Sequence, residues 1–171
     1  MKLKFLKTII LLMFLSVINF AQTTFTSSAN DTRNQAIFES NAPLEDITGI
    51  SNKLTSNITI NLNDVSNSPK GNVKVELAAM KTGIDLRDQH LRSANWLNTE
   101  KYPNAEFELT EISGASSKSL SDTKPVKATA KGKLSIHGVT QEISAPIELT
   151  YYKETEQTKA RIDGNLLKVT A

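Results

Sequence analysis

The 171-residue chain contains no cysteine. That excludes disulfides, thiolate metal centres, iron–sulfur clusters, covalently attached c-type haem, thiol catalysis and a lipid-modified cysteine anchor. Histidine is scarce: His90 and His137 are the whole supply, and no H-x-H, H-x-x-x-H or HExxH spacing occurs, so no metal site is expected. There is no GxGxxG, no P-loop and no G-x-S-x-G elbow, which leaves no nucleotide-binding or hydrolase motif and no catalytic residue to name. Seven glycines and five prolines are too few for a collagenous or low-complexity chain. An excess of one charge is missing too. The formal +2 rests on Lys2, Lys4 and Lys7; the 20 basic residues less these three leave 17 against 18 acidic ones. A chain so balanced is no general polyanion binder, and nucleic acid is not an expected partner.

The first segment reads as an address. Lys2, Lys4 and Lys7 precede an apolar run from Ile9 to Phe20, broken by Ser16 and Asn19, and Ala21 offers a small residue for cleavage. The pattern predicts a secretory signal over residues 1–21, with an uncleaved anchor as the alternative. No later stretch has spanning length. The expectation is an exported protein, periplasmic or extracellular and not integral to a membrane. Residues 22–34 (QTTFTSSANDTRN) are polar and periodless, hence a flexible segment outside the fold. The folded domain is expected over 35–171.

Within that domain the dominant period is two. Ile58, Ile60 and Leu62 share one parity; so do Val73, Val75, Leu77 and Ala79; Ala105, Phe107 and Leu109; Val126, Ala128, Ala130, Gly132, Leu134 and Ile136; and Ile143, Ala145, Ile147, Leu149 and Tyr151. Polar residues fill the alternate positions, so each stretch predicts a strand with one dry face, as in antiparallel sheets. Ala36 and Phe38 open a possible earlier strand, and Leu166 to Thr170 forms a late one. Pro146, on the outward parity, predicts a bulge or an edge. His137-Gly138 reads as a tight turn with positive φ at Gly138, and residues 113–124 as a long exposed loop. Between Thr82 and Pro103 the alternation stops, giving a long crossover with short helical turns. The fold class is all-β: an antiparallel barrel of seven to eight strands, closed to remove its edges.

Ala128, Ala130 and Gly132 in one inward row leave space, which either holds a ligand or is filled by Trp96, Tyr102 or Phe107. If the interior is a pocket, the inward parity lines it: Ile60, Val75, Leu77, Phe107, Leu109, Ala128, Ala130, Leu134, Ile147 and Leu149, with Trp96 as plug or liner. Arg87, Asp88, His90 and Arg92 form the one polar cluster of the crossover. One reading makes Arg87, His90, Arg92 and Tyr102 contacts for a ligand's head group. The other makes Asp88 a structural latch pinning the crossover by an Arg–Asp pair, with His137 and Gly138 as structural turn residues. Lys127, Lys131 and Lys133 form a basic stripe, either a solvated face or a weak contact for a membrane surface.

The crossover also carries a resemblance. Gly83-Ile84-Asp85-Leu86-Arg87-Asp88-Gln89-His90-Leu91-Arg92-Ser93, then Trp96-Leu97, Lys101-Tyr102-Pro103 and Phe107, resembles the YceI-like family. So do Gly132-Lys133-Leu134-Ser135-Ile136-His137-Gly138-Val139-Thr140 and Ala42-Pro43-Leu44-Glu45 with Gly49. Three separated motifs stand in the family's order, over about residues 35–171. The resemblance implies a lipocalin-like barrel whose apolar tunnel holds an isoprenoid lipid, a polyprenyl phosphate or a quinone tail, with no other cofactor. It implies a non-catalytic binding protein. A monomer or homodimer is expected. Two other readings stand: a structural or stress-associated module with a filled core, and an enzyme using His90 as acid or base. Measured against the family, the chain stops at Ala171 in mid-strand, so the expected last strand is short.

Overall fold

The computed structural model describes residues 22–171; the predicted signal over 1–21 lies outside the described residues. The elements in chain order are β1 (Gln22–Ser27), β2 (Ala36–Ala42), β3 (Glu45–Ser51), β4 (Leu54–Asn61), β5 (Lys70–Glu76), a 3-10 turn (Leu77–Ala79), α1 (Asp85–Arg92), β6 (Asn104–Ser113), β7 (Pro125–Ile136), β8 (Val139–Tyr152), α2 (Glu156–Lys159) and β9 (Leu166–Thr170). Seven strands form one antiparallel sheet in the order β1-β4-β5-β6-β7-β8-β9, and β2–β3 is a separate hairpin. The sheet curls until Phe25 of β1 meets Tyr151 of β8 edge to face, with ring centroids 6.3 Å apart. The result is a nearly closed, lipocalin-like barrel. The right-handed twist of each strand pair supplies the curl.

The alternation places the core where expected. On β7, Val126, Ala128 and Ala130 are buried, opposite Leu149, Ile147 and Ala145 of β8. Each outward lysine of β7 has an acid opposite it on a neighbouring strand. Lys127 faces Glu148, Lys133 faces both Glu142 and Glu108, and Lys131 Nζ lies 3.2 Å from Glu111 Oε1. The basic stripe is therefore part of a charge-alternating wall.

Three local expectations need correction, and the β6 bulge was not anticipated. Residues 22–27 are not outside the fold: β1 pairs with β4 from Gln22↔Asn61 to Ser27↔Ser56. Its alternation is real, with Thr23, Phe25 and Ser27 the less exposed set, but it is written in threonine and serine and carries little hydropathy contrast. Leu77 is not on a strand. β5 ends at Glu76, and Leu77 turns away into the 3-10 element, buried, its N–H donating to Pro103 O at 2.9 Å. Parity on β6 does not run through: the register shifts between Leu109 and Glu111, and this bulge returns Ile112 to the core. Finally, residues 113–124 are not simply exposed. They fold back over one barrel end, where Leu120 is buried and its N–H donates to Leu62 O (2.8 Å), while Val65 N–H donates to Lys118 O (2.9 Å).

The expectations for the His137-Gly138 turn and for Pro146 hold. His137 (φ 52°) and Gly138 (φ 76°) form the two-residue β7–β8 turn, the geometry that matches strand twist. Pro146 lies opposite Thr129 of β7, outside the segment Glu148–Tyr152 that β9 pairs. Its missing N–H thus sits at an edge, and no bulge is needed.

Candidate functional site

The strands divide the barrel interior into two tiers. The far tier, toward the 113–124 loop, is filled. Ile60, Val65, Ile112, Leu120, Val126, Ala128, Ala130, Ile147 and Leu149 form one cluster, each 8% exposed or less. Phe25, Leu62, Tyr151 and Leu167 pack against it from neighbouring strands and the adjoining loop. Side chains lining a water-sized void would show exposure, so this tier is solid. The near tier, toward the crossover, differs. Val73 and Val75 of β5, Phe107 of β6, Leu134 of β7, and Ile143 and Ala145 of β8 share the inward parity, yet all are only half-buried. These inward apolar groups are left less covered than those of the far tier.

One aromatic of this tier occupies a glycine's place. A Cβ on Gly132 would fall 2.7 Å from Phe107 Cε2, so the Phe107 ring lies directly on the Gly132 backbone of the adjacent strand. The small row on β7 therefore has two uses. Ala128 and Ala130 belong to the solid tier, and Gly132 seats Phe107. Tyr102 repeats the device at the β7–β8 turn: its ring covers Gly138, with Cε1 2.6 Å from a built Cβ, and stacks on His137 with centroids 4.8 Å apart. Lys101 Nζ lies 5.2 Å from the same ring centroid. This contact ties the Lys101-Tyr102-Pro103 motif to His137-Gly138 and explains why both belong to one structure.

The crossover is held by a buried carboxylate. Asp88 on α1 is 1% exposed, and its Oδ1 accepts from Thr82 N–H and Thr82 Oγ1, both at 2.7 Å. Lys81 Nζ stands 3.6 Å from Oδ2. The Thr82 hydroxyl bond, then the backbone N–H bond, hold the carboxyl below its ordinary pKa. Burial opposes them, and the Lys81 charge reinforces them. Asp88 is thus a latch, but its partners are Thr82 and Lys81 rather than an arginine. Lys81 in turn exchanges backbone hydrogen bonds with Ile50 of β3 (2.8 and 2.9 Å), linking latch to hairpin.

The head-group candidates separate on inspection. Arg87 Nη1 is paired with Glu45 Oε1 at 2.9 Å, fastening α1 to the hairpin. His90 is exposed and Arg92 half-buried, both in the last turn of α1. Tyr102 is engaged by the turn. Trp96 is neither plug nor liner: it is 65% exposed. Its N–H closes a turn onto Ser93 O (3.1 Å), in a segment bonded mainly within itself, so nothing draws the indole inward. Among the described residues no group of three or more His, Asp or Glu could hold a metal ion, and no helix is long and apolar enough to cross a membrane.

Inward residues absent from the expected set are Ile58, Val73, Val126, Ile143 and Ala145, which lay in the period-two sets and could have been chosen, and Phe25 and Ile112, which belong with the filled tier. Phe25 was hidden by its hydroxyl-rich strand and Ile112 by the bulge.

A nearly closed antiparallel barrel with a latched crossover and a half-wetted apolar tier defines the class. The chain matches the YceI-like domain over residues 28–167, and it belongs to the YceI-like family. It is 36% identical over 80 residues to a UPF0312 protein of Photorhabdus laumondii, and 35% identical over 80 residues to Protein YceI of Escherichia coli. Each match takes in 47% of this chain and 37% of the relative, so the aligned stretch spans little more than a third of those relatives. Among solved structures, Burkholderia cenocepacia BcnA superposes with a TM-score of 0.53 at 15% identity, covering 78% of this chain and 70% of that one. A polyisoprenoid binding domain from Saccharophagus degradans, implicated in plant cell wall breakdown, gives 0.50 at 18% identity, covering 68% and 62%. These likenesses show the fold.

Proposed function

We propose that the protein is an exported, non-catalytic binding protein that holds the tail of an isoprenoid-type lipid, a polyprenyl phosphate or a quinone, in the near tier of its barrel. The observation that carries this is the half-wetted state of Val73, Val75, Phe107, Leu134 and Ile143 on an inward face. Burying that surface under a hydrocarbon chain contributes about 0.8 kcal/mol per CH2. Arg92 and His90, at the end of α1, are the side chains free to meet a head group; Arg87 serves only if it leaves Glu45. The Saccharophagus degradans domain, described as polyisoprenoid binding, supports the ligand class. Loading by transient contact with a lipid surface at the crossover end fits the exposed Leu44, Leu86 and Trp96 there. The test is organic extraction and native mass spectrometry of the purified protein. A co-purified lipid with an isoprenoid fragmentation pattern is expected. A protein that yields no lipid and takes up no added isoprenol refutes the proposal.

The second reading, a filled interaction module without ligand, draws on the solid far tier. Ala130→Leu does not separate the two, because Ala130 is in that tier and leucine overpacks it under either reading. Ala145→Leu does: it blocks ligand at little cost in stability if the near tier is a pocket.

A further inference from the structure

We propose that the outer face of the barrel carries a binding site for an uncharged glycan chain, in the groove between the loop before β5 and the β6 bulge. The groove has a volume of about 690 Å3, and Asn57, Thr59, Ser68, Asn72, Glu108 and Thr110 line it. It lies outside the barrel, on the opposite side of the sheet from the inward tiers. The β6 register shift between Leu109 and Glu111 borders it on one side; bulges re-aim side chains and recur beside binding sites. On the other side Ser68 holds a φ of 52°, uncommon for a residue other than glycine. The Ser68 carbonyl accepts from Gln22 Nε2 at 3.0 Å, which ties this wall to β1.

The pairing registers set Thr26, Asn57, Asn72 and Glu108 side by side in one outward row across four strands. Strands about 4.8 Å apart make that row about 14 Å long, the reach of a short oligosaccharide. Polar groups around the row are already engaged. The Thr24 and Thr59 hydroxyls bond each other at 2.8 Å, and Thr110 Oγ1 donates to Lys131 O at 3.1 Å. Lys74 pairs with Glu106 at 2.8 Å, and Lys131 with Glu111 at 3.2 Å. Within the row, the exposed Asn57 and Asn72 amides and the Glu108 carboxylate have no hydrogen-bond or ion-pair partner among the described residues, although Lys133 stands opposite Glu108. Amides offer donor and acceptor together and a carboxylate accepts twice, a set that adjacent sugar hydroxyls satisfy. Among the lining residues Lys70 offsets Glu108, so no net charge selects an anion. A second observation lies at the loop end. Asn61, on the outward parity of Thr59 and opposite Gln22, is fully buried; its Oδ1 accepts from Asn63 N–H at 2.8 Å, while its Nδ2 has no partner among the described residues. A buried donor left unbonded is disfavoured, and a ligand hydroxyl at this end supplies the acceptor.

The experiment titrates the protein with cello-, chito- and malto-oligosaccharides of one, three and six sugars and follows backbone amide shifts by NMR. At least one series is expected to shift the amides of Asn57, Asn72 and Glu108. Affinity should rise from one sugar to three, then change by less than about twofold to six, because the row of about 14 Å is then covered. Asn72→Ala should weaken the trisaccharide by about twofold to tenfold, the range of a neutral hydrogen bond, and Glu108→Gln by at least about tenfold, as for a charged one. Lys127→Ala, on β7 outside the groove, should leave affinity unchanged. Circular dichroism and melting report the folding of each variant, and the isosteric Glu108→Gln carries the test should Asn72→Ala fail to fold. Binding that survives both substitutions, or shifts confined to other strands, overturns the site. Absence of shifts with all three series overturns it as well. Tighter binding of an oligogalacturonate that is lost in Lys70→Ala overturns the uncharged ligand. None of these outcomes bears on the barrel interior.

Discussion

Gly132→Ala is the sharpest test of how the near tier is built. The added methyl meets the Phe107 ring, 2.7 Å from Cε2, and the Glu108 carbonyl oxygen, which is nearer still. Both lie on β6, and β7 cannot shift to relieve them because it is paired on its other side to β8, Gly132 opposite Ile143. Overpacking of this kind costs about 1–3 kcal/mol, and removing a glycine from the unfolded chain returns about 0.4–1 kcal/mol. A backbone oxygen yields less than a side chain, so the net loss should be about 2 kcal/mol. For a domain of this size that lowers the melting temperature by about 4–8 °C. The assay is urea unfolding of wild type, Gly132→Ala, Phe107→Leu and the double variant. Phe107→Leu removes the ring but not the carbonyl, so the cycle should show a favourable coupling of about 1 kcal/mol rather than full rescue. A Gly132→Ala protein within about 0.5 kcal/mol of wild type would refute the close seat of Phe107. So would strict additivity of the two changes.

Other outcomes follow from the same contacts. Because the Asp88 pKa is lowered by folding, its contribution is fully present above the ordinary value of 3.8 and is lost as pH falls through the lower folded value. Asp88→Asn should therefore lower stability at neutral pH and flatten its decline below about pH 4, measured by denaturation between pH 2 and 7; an unchanged acid limb would remove the latch. Leu120→Ala should cost about 2–5 kcal/mol by opening the sealed end, and calorimetry that finds under 1 kcal/mol contradicts the seal. Trp96, the single tryptophan, should emit at long wavelength and be quenched freely by iodide; a blue-shifted, protected signal would place it inside after all. Arg87→Ala should change stability by less than about 1 kcal/mol, as for other exposed pairs.

The strands of the barrel core were legible because burial of one face writes period two into the sequence, and β4 to β8 were found at nearly their observed positions. β1 was not, because threonine and serine serve both faces of an edge strand equally well. The bulge at Thr110 was invisible for a different reason: one inserted residue swaps parity, and Glu-Ile-Ser after it fits either phase. At the site, the motifs located the crossover and the His137-Gly138 turn, but not who meets whom there. Asp88 bonding Thr82, Arg87 bonding Glu45 and Tyr102 covering Gly138 are consequences of chain path, and pairing choices among several nearby charges leave no spacing to read. Trp96 shows the limit from the other side. Size and apolarity argued for burial, while its local turn, bonded within itself, kept the ring in solvent.

The seal at the far end also sets a direction. An open tube can be loaded at one mouth and emptied at the other, but a barrel end covered by Leu120 and its loop leaves the crossover end as the route for the ligand proposed above. Such a lipid would go in by its apolar end, its polar end last in and first out, so an acceptor would come to the crossover face.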